Sequence, residues 1–493
     1  MHVSPLGSIL SPEPILEAAE NFRGRIVDLD QSLVVEPDAF ARGRSVLAEQ
    51  MRTHGLDYGD RVVMAVGNGP LFIAALVAIL QRGGSPLLVH AETPPAELKR
   101  TAMQYGARFI ACDGQLRPEL QAICQATSTI AADAWMRLDW ARIDPSDPLF
   151  QDDYPSLPSV PLHPTSGTTG EPKVAARPGP CAIAEAAHYV ETIGIDVGDT
   201  ILNVAPMSHA YSYGMCVMVP LLAGSSLVTM RHFNAKLVHR AIEEQGITIL
   251  PAVPVMLEML LFGAGDRLHN PLRRVFTAGA PLALRTATEF RKTCGSLVRP
   301  LFGSTETGVI AIVGADREGD AGDCVGPPVR GVSVEIRHVT PSDDSAAGLG
   351  RVHVRSSSMM AGYLCPGELD TSPLVDGWFA TGDLGRFGQY GELHLCGRET
   401  DVVNVFGMKV VPREVEDVIR LLPEIAEVVV YAGRRSGSQC VKAAVVVTSP
   451  TEAAMIRAHC ETHLVYYKRP ETITFLDALP RTATGKIIRD QLP

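Results

Sequence analysis

A chain of 493 residues exceeds what one hydrophobic core can organise, and its length suggests roughly three domains or subdomains. With 46% hydrophobic and 20% charged residues it has the composition of an ordinary globular protein. A net charge of -11 and the lack of any dense Lys/Arg run argue against nucleic acid as a partner, because a phosphate backbone demands a basic face. Ten cysteines lie scattered with no C-x-x-C pair, which suits a reduced, cytoplasmic protein better than a disulfide framework. The N-terminal MHVSPLGSILSPEP lacks a basic region and is broken by prolines, so it reads poorly as a signal peptide. No membrane span is expected: the apolar run at 71–80 is too short, and the one at 217–230 is interrupted by Pro220 and Gly224.

In chain order, residues 15–55 mix Ala, Leu and charged positions at helical spacing and read as helical. Residues 60–66 form a buried-strand pattern, 71–81 an apolar helix closed by Gly83-Gly84, and 86–89 another strand; such a unit builds parallel sheet. Further strands are expected at 200–205, 227–230, 247–250 and 274–277, with a helix at 235–245. Past residue 332 the texture changes to short alternating strands at 332–338, 350–356 and 391–396, a small β subdomain. After Gly397-Arg398 comes an α+β tail, with helices at 412–422 and 452–463 and strands at 427–431, 441–447 and 472–476. The expected class is α/β: a multi-subdomain region with parallel-rich sheets over 1–397, then a small α+β domain over 398–493 able to move as a body.

The stretch Thr165-Ser166-Gly167-Thr168-Thr169-Gly170-Glu171-Pro172-Lys173 stands apart. Glycine admits positive φ and carries no side chain, so such a loop can bring backbone N–H groups close to an anion. The hydroxyls of Ser166, Thr168 and Thr169 add donors and Lys173 adds a charge, which makes a polyphosphate the natural guest. The same residue types also make plain solvent loops. No Gly-Lys-Ser/Thr follows at the Walker spacing. In an open α/β sheet, a ligand loop of this kind belongs beyond the carboxyl end of a strand.

Four further stretches stand out, namely Pro206-Met207-Ser208-His209-Ala210-Tyr211, Phe302-Gly303-Ser304-Thr305-Glu306-Thr307, Trp378-Phe379-Ala380-Thr381-Gly382-Asp383 and Arg481-Thr482-Ala483-Thr484-Gly485-Lys486. With the loop at 165–173, the Gly-Arg stretch at 397–401 and Tyr467-Lys468-Arg469-Pro470, they resemble the adenylate-forming superfamily of acyl-CoA synthetases, peptide-synthetase adenylation domains and beetle luciferases. The motifs fall in the right order over nearly the whole chain. The resemblance implies that a carboxylate attacks the α-phosphorus of ATP, giving an acyl adenylate and pyrophosphate, after which a thiol displaces AMP. It implies ATP contacts from Thr165, Ser166, Gly167, Thr168, Thr169, Gly170, Lys173, Phe302, Gly303, Ser304, Thr305, Asp383 and Arg398. In that scheme the loop holds the β- and γ-phosphates, Phe302 lies against the adenine, and Asp383 takes the ribose hydroxyls with Arg398 assisting. Glu306 with Thr168 or Thr169 is the implied Mg²⁺ site, since a hard cation takes oxygen ligands. Lys486 is implied at the α-phosphate and the attacking carboxylate, and His209 as a gate to the acyl pocket. Tyr211 and Tyr213 are expected in wall or core. The chain departs from the family pattern at Phe302 (commonly Tyr), Val174 and Ser212 (commonly Gly) and the hinge residue Thr400 (commonly Asp or Lys).

No aspartate occupies 207–213 to pair with an α-ammonium, so an α-amino acid is not the expected substrate. The stretches 253–256, 277–281 and 310–313 are apolar, which points to an apolar or aromatic carboxylic acid. The stretch 407–416 resembles CoA ligases more than carrier-protein loaders, so CoA is the first acceptor and an acyl carrier protein the alternative. A catalytically silent nucleotide- or acyl-binding protein is a third reading, disfavoured because Glu306, Asp383 and Lys486 are all present. No fused carrier or condensation segment is seen, so a stand-alone enzyme is expected.

Overall fold

The computed structural model describes residues 10–113, 120–121, 124–133, 135–165, 173–263, 272–314, 323–337, 348–405, 408–435, 438–481 and 487–493. The strand Arg61–Ala65 is buried end to end and alternates between two cores: Val62 and Met64 face one, Val63 and Ala65 the other. It pairs in parallel with Ser85–Leu88 and Ala107–Cys112. Among the described residues these belong to a nine-stranded sheet that also holds Leu162–Thr165 and Lys173–Ala176. A second sheet, of eight strands, joins Ile26–Asp28, Ser226–Thr229, Thr200–Asn203, Ile249–Ala252, Arg274–Thr277 and Val298–Ser304 in parallel.

The helices Pro70–Gln81 and Gly179–Ile193 pack into one core with both sheets. That core connects Val62 and Met64 of the first sheet to Ile26, Ile201, Leu227, Ile249 and Phe276 of the second. A helix covered by two sheets has no solvent face, which is why 71–81 is apolar all round. The outer face of the first sheet is covered by Pro95–Gln104, and that of the second by Ala235–Glu244, Pro254–Gly263 and Leu284–Cys294.

The expected helix over 15–55 is not one element. Helix Glu13–Glu20 stops at Asn21, the strands Ile26–Asp28 and Leu33–Val35 form an antiparallel pair, and helix Pro37–Thr53 follows. Ile26 and Val35 are buried there, and Pro37 suits the first turn of the second helix, where its missing N–H costs nothing. The run at 217–230 is broken as expected: a π-helical turn Tyr213–Met218 passes into Val219–Ala223, ends at Gly224 with φ +69, and continues as the strand Ser226–Thr229. Among the described residues no helix is long and apolar enough to cross a membrane. None of the ten cysteines is joined in a disulfide.

The change of texture past 332 is an antiparallel sheet of Val332–Arg337, Gly350–Ser356, Trp378–Phe387, Leu393–Arg398 and Cys324–Gly326. The tail has its own core: Val415 and Ile419 of helix Pro412–Arg420 and Ile456 of helix Ala453–His463 pack against Val428, Val430, Val441 and Val445 of two long antiparallel strands. A boundary at 397/398 falls one residue inside the end of the strand Leu393–Arg398.

His163, on the strand that enters the glycine-rich loop, is buried with no partner at either ring nitrogen, edge-on to Tyr213 at 4.5 Å. Burial pushes its pKa well below the ordinary 6.5, with Arg177 and His209 adding to the effect. A histidine kept neutral by folding contributes stability above its unfolded pKa and loses it as pH falls, by about 1.4 kcal/mol per pH unit until the folded value is reached. Relative to His163→Gln, the wild type is therefore expected to lose about 1 kcal/mol between pH 7.5 and 5.5 in urea unfolding; an equal pH response of both chains would contradict this.

Candidate active site

A cavity of about 590 Å³ opens beyond the carboxyl ends of the parallel strands of both sheets. Gly67 and Asn68 reach it from the turn after Arg61–Ala65, and His90 from the turn after Ser85–Leu88. The second sheet supplies Met207 and His209 after Thr200–Asn203, Val253 after Ile249–Ala252, and Ala278 and Gly279 after Arg274–Thr277. Asn68 ties the two sets of loops together. Its Nδ2 donates to the carbonyls of Ala205 and Met230 at 3.1 and 3.0 Å, and its Oδ1 accepts from the Met207 N–H at 2.8 Å.

One side of the cavity gathers the polyphosphate motifs. Thr165 and Lys173 stand at the two ends of the glycine-rich loop, held opposite each other in the antiparallel ladder. Glu306 sits in the tight turn between Val298–Ser304 and Gly308–Ile312, where the Thr307 N–H donates to Ser304 Oγ at 3.3 Å. Tyr363 Oη donates to Glu306 Oε1 at 2.7 Å, and Lys173 Nζ lies 4.8 Å from the centre of the Tyr363 ring. Tyr363 can bridge the two because its strand, Gly362–Cys365, pairs with Lys173–Ala176. Burial, together with the Glu306 carboxylate, pushes the Tyr363 phenol pKa up, so it remains a donor. Arg398 also lines the cavity and stands directly across the ladder from Asp383, its Nε 2.9 Å from Asp383 Oδ1.

The other side is mostly apolar, with Met207, Tyr211, Val253, Met256, Ala278 and Val309 on its wall. His209 caps the short helical turn after it: Nδ1 accepts the Tyr211 N–H at 3.4 Å, which leaves the proton of a neutral ring on Nε2. Burial pushes the His209 pKa below 6.5, so the ring is uncharged at neutral pH.

Of the residues singled out in the sequence, Thr165, Lys173, His209, Gly303, Ser304, Thr305, Glu306 and Arg398 line this one cavity. Asp383 joins them through Arg398. It is a strand residue, within Trp378–Phe387. Phe302 is not among the lining residues: on its strand Leu301 and Gly303 face the cavity, and Phe302 packs among Ile310, Val352, Val354 and Leu393. Of the expected apolar pocket stretches, 253–256 and 277–281 contribute lining residues, whereas 310–313 is buried without reaching the cavity. Tyr211 is wall and Tyr213 is core, as expected. Ser166, Gly167, Thr168, Thr169, Gly170, Gly407 and Lys486 lie outside the described residues.

Sequence reasoning missed Asn68, Glu185, Tyr189 and Tyr363. Asn68 had a signal in Gly67-Asn68-Gly69, a turn directly after a strand. Tyr363 sits in an unremarkable strand, and Glu185 and Tyr189 in an alanine-rich helix, so their roles come from tertiary contact alone.

Comparison with known proteins gives the family. The family model described as AMP-binding enzyme matches residues 41–364, and that of the AMP-binding enzyme C-terminal domain matches 414–486. The chain is 28% identical over 464 residues to the indoleacetate–CoA ligase of Aromatoleum aromaticum, covering 90% of each. It is also 28% identical over 462 residues to the fatty acid–[acyl-carrier-protein] ligase ScoC of Streptomyces coeruleorubidus, covering 90% of this chain and 88% of the relative. Its fold is that of the O-succinylbenzoate coenzyme A synthetase of Bacillus subtilis, solved with ATP and magnesium ion: TM-score 0.79 at 23% identity, covering 98% of this chain and 99% of that one. With the first family model spanning well over half of the chain and the second following it in order, the chain belongs to the AMP-binding enzymes.

Proposed function

We propose that this AMP-forming acid–thiol ligase activates an aromatic or apolar carboxylic acid and passes the acyl group to the thiol of coenzyme A. One observation carries the reading: a single cavity is lined both by Thr165, Lys173, Glu306 and Arg398 and by the apolar side chains of Met207, Val253, Met256 and Ala278. An acid lying on those apolar side chains has its carboxylate directed toward the residues that receive a nucleotide. In the first step a carboxylate oxygen bonds to the α-phosphorus and the bond to the bridging oxygen breaks, releasing pyrophosphate. In the second the thiolate sulfur bonds to the acyl carbon and AMP leaves. No covalent enzyme nucleophile is required, so the chain's contribution is positioning and charge.

The residues divide that work. Lys173 and the hydroxyls of the 165–173 loop take the β- and γ-phosphates, and Asp383 with Arg398 takes the ribose hydroxyls. Lys486 reduces repulsion between the substrate carboxylate and the α-phosphate. Glu306 suits magnesium. Its carboxylate faces the cavity, Tyr363 holds one oxygen, and no other described donor reaches its side chain, which leaves an oxygen for a hard cation. Bound there, the ion would offset phosphate charge. Neutral His209 adds no charge to the apolar side, in keeping with an uncharged acyl group, and gates its entrance. The small domain over 398–493 brings Lys486 to the cavity and moves for the second step. Ten cysteines without a disulfide suit a reducing cytoplasm.

The relative named for indoleacetate supports an aromatic acid and CoA. The relative named as a carrier-protein ligase supports a second reading in which the acceptor is the phosphopantetheine thiol of a carrier protein. Pyrophosphate release with aromatic acids, assayed with CoA and with a carrier protein bearing a free phosphopantetheine thiol, separates them: formation of the CoA thioester is expected, and transfer only to the carrier would replace the first reading.

Two substitutions test the roles. Lys486→Ala is expected to slow adenylation roughly 100- to 1,000-fold, with thioester formation from pre-made acyl adenylate largely retained; equal loss of both half-reactions would remove the assigned role. Asp383→Asn is expected to raise the KM for ATP roughly 10-fold or more, as loss of a charge-assisted hydrogen bond does, with a smaller change for the acid. A KM for ATP that stays at the wild-type value would take Asp383 out of the nucleotide site.

A further inference from the structure

The apolar side of the cavity contains a charged feature that acid activation does not use. Helix Gly179–Ile193 presents Glu185 and Tyr189 to the cavity, four residues apart and therefore on one face. Glu185 is only 2% exposed. Its Oε2 accepts from Arg177 Nη2 at 2.9 Å, and the same guanidinium nitrogen, fully buried, donates to the Ser358 carbonyl at 3.2 Å.

The seat of this carboxylate is built by its neighbours. A Cβ on Gly214 would stand 2.7 Å from the Glu185 carboxyl carbon, and one on Gly308 would stand 2.9 Å from it. Gly308 also has φ +72, where a side chain is strained. Two backbone segments thus leave space for one carboxylate. A buried ion pair is weak evidence of stabilisation, since apolar side chains of similar volume serve as well or better. Burial itself works against this one, pushing the Glu185 carboxyl pKa up while Arg177 opposes the shift. A carboxylate placed at the cavity wall beside Tyr189, Tyr211 and Val309 can therefore take a ligand group, and a carboxylate accepts hydrogen bonds. Arg177 already balances its charge, so the fitting group is a neutral donor rather than an ammonium.

We propose that Glu185, fixed by Arg177, is a specificity-determining residue that selects aromatic acids carrying an O–H or N–H donor on the ring, with Tyr189 in the same contact. This inference rests on reading the apolar side of the cavity as the acyl pocket.

The test uses pairs of acids matched in shape: 4-hydroxyphenylacetate against 4-methylphenylacetate, 3-(4-hydroxyphenyl)propanoate against its 4-methyl counterpart, and indole-3-acetate against benzothiophene-3-acetate. Pyrophosphate release by the full chain gives kcat/KM for each. For at least one pair the donor-bearing acid is expected to be favoured by roughly 10-fold or more. Glu185→Gln is expected to reduce that ratio roughly 10-fold and Tyr189→Phe roughly 3-fold. Glu185→Gln strips Arg177 of its counter-ion, so Tyr189→Phe, which keeps the ring, and the wild-type ratios themselves provide readouts that do not depend on that variant folding. Equal or inverted ratios in the wild type for every pair would overturn the inference and leave the ligase reading standing, as would variants that lower both members of a pair equally. Failure of every acid to release pyrophosphate would overturn both.

Discussion

Everything at this site depends on a packing constraint. Two sheets, the eight-stranded one largely parallel and the nine-stranded one parallel only across its central strands, share one core through the helices Pro70–Gln81 and Gly179–Ile193. Parallel strands place all their carboxyl ends on one edge, and the shared core brings the two edges together. Loops separated by hundreds of residues then line one cavity, from Asn68 to Arg398. The three hydrogen bonds of Asn68 lock this arrangement where the edges meet, because they join a loop of the first sheet to two of the second. A change in how the sheets pack would move the polyphosphate side of the cavity relative to its apolar side.

The second consequence is electrical. The polar lining is assembled from groups that hold one another: Lys173 over Tyr363, Tyr363 on Glu306, and Arg398 on Asp383. Positioning residues before substrate arrives spares the cost of ordering them during reaction. The apolar side follows the opposite rule. His209 is held neutral by burial, and the Glu185 carboxylate is matched by Arg177. In the proposed reaction the first set of groups manages phosphate charge, and the second shows little net charge to the acyl group.

Much of this was legible in the sequence, for particular reasons. The strand at 61–65 and the helix at 70–81 are short apolar runs bounded by glycine and proline, and the motifs around His209, Glu306 and Asp383 are contiguous. The hairpin at 26–35 was not legible, because its surroundings carry the same mixture of alanine, leucine and charge as the helices beside it. Phe302 shows how a motif can be right in place and ambiguous in direction: alternation along the strand turns Gly303 to the cavity and Phe302 into the neighbouring core. Tyr363 and Glu185 acquire their importance only from partners far away in the chain, namely Glu306 and the backbone around Gly308. No local pattern carries that information.

In the proposed reaction a carboxylate attacks the α-phosphorus of ATP in this cavity. The most direct measurement supplies an aromatic acid labelled with ¹⁸O in its carboxylate, with ATP, magnesium ion and CoA, and follows the label by mass spectrometry. One labelled oxygen is expected in AMP for each thioester formed, and none in pyrophosphate. Unlabelled AMP, or ADP and phosphate as the nucleotide products, would contradict it.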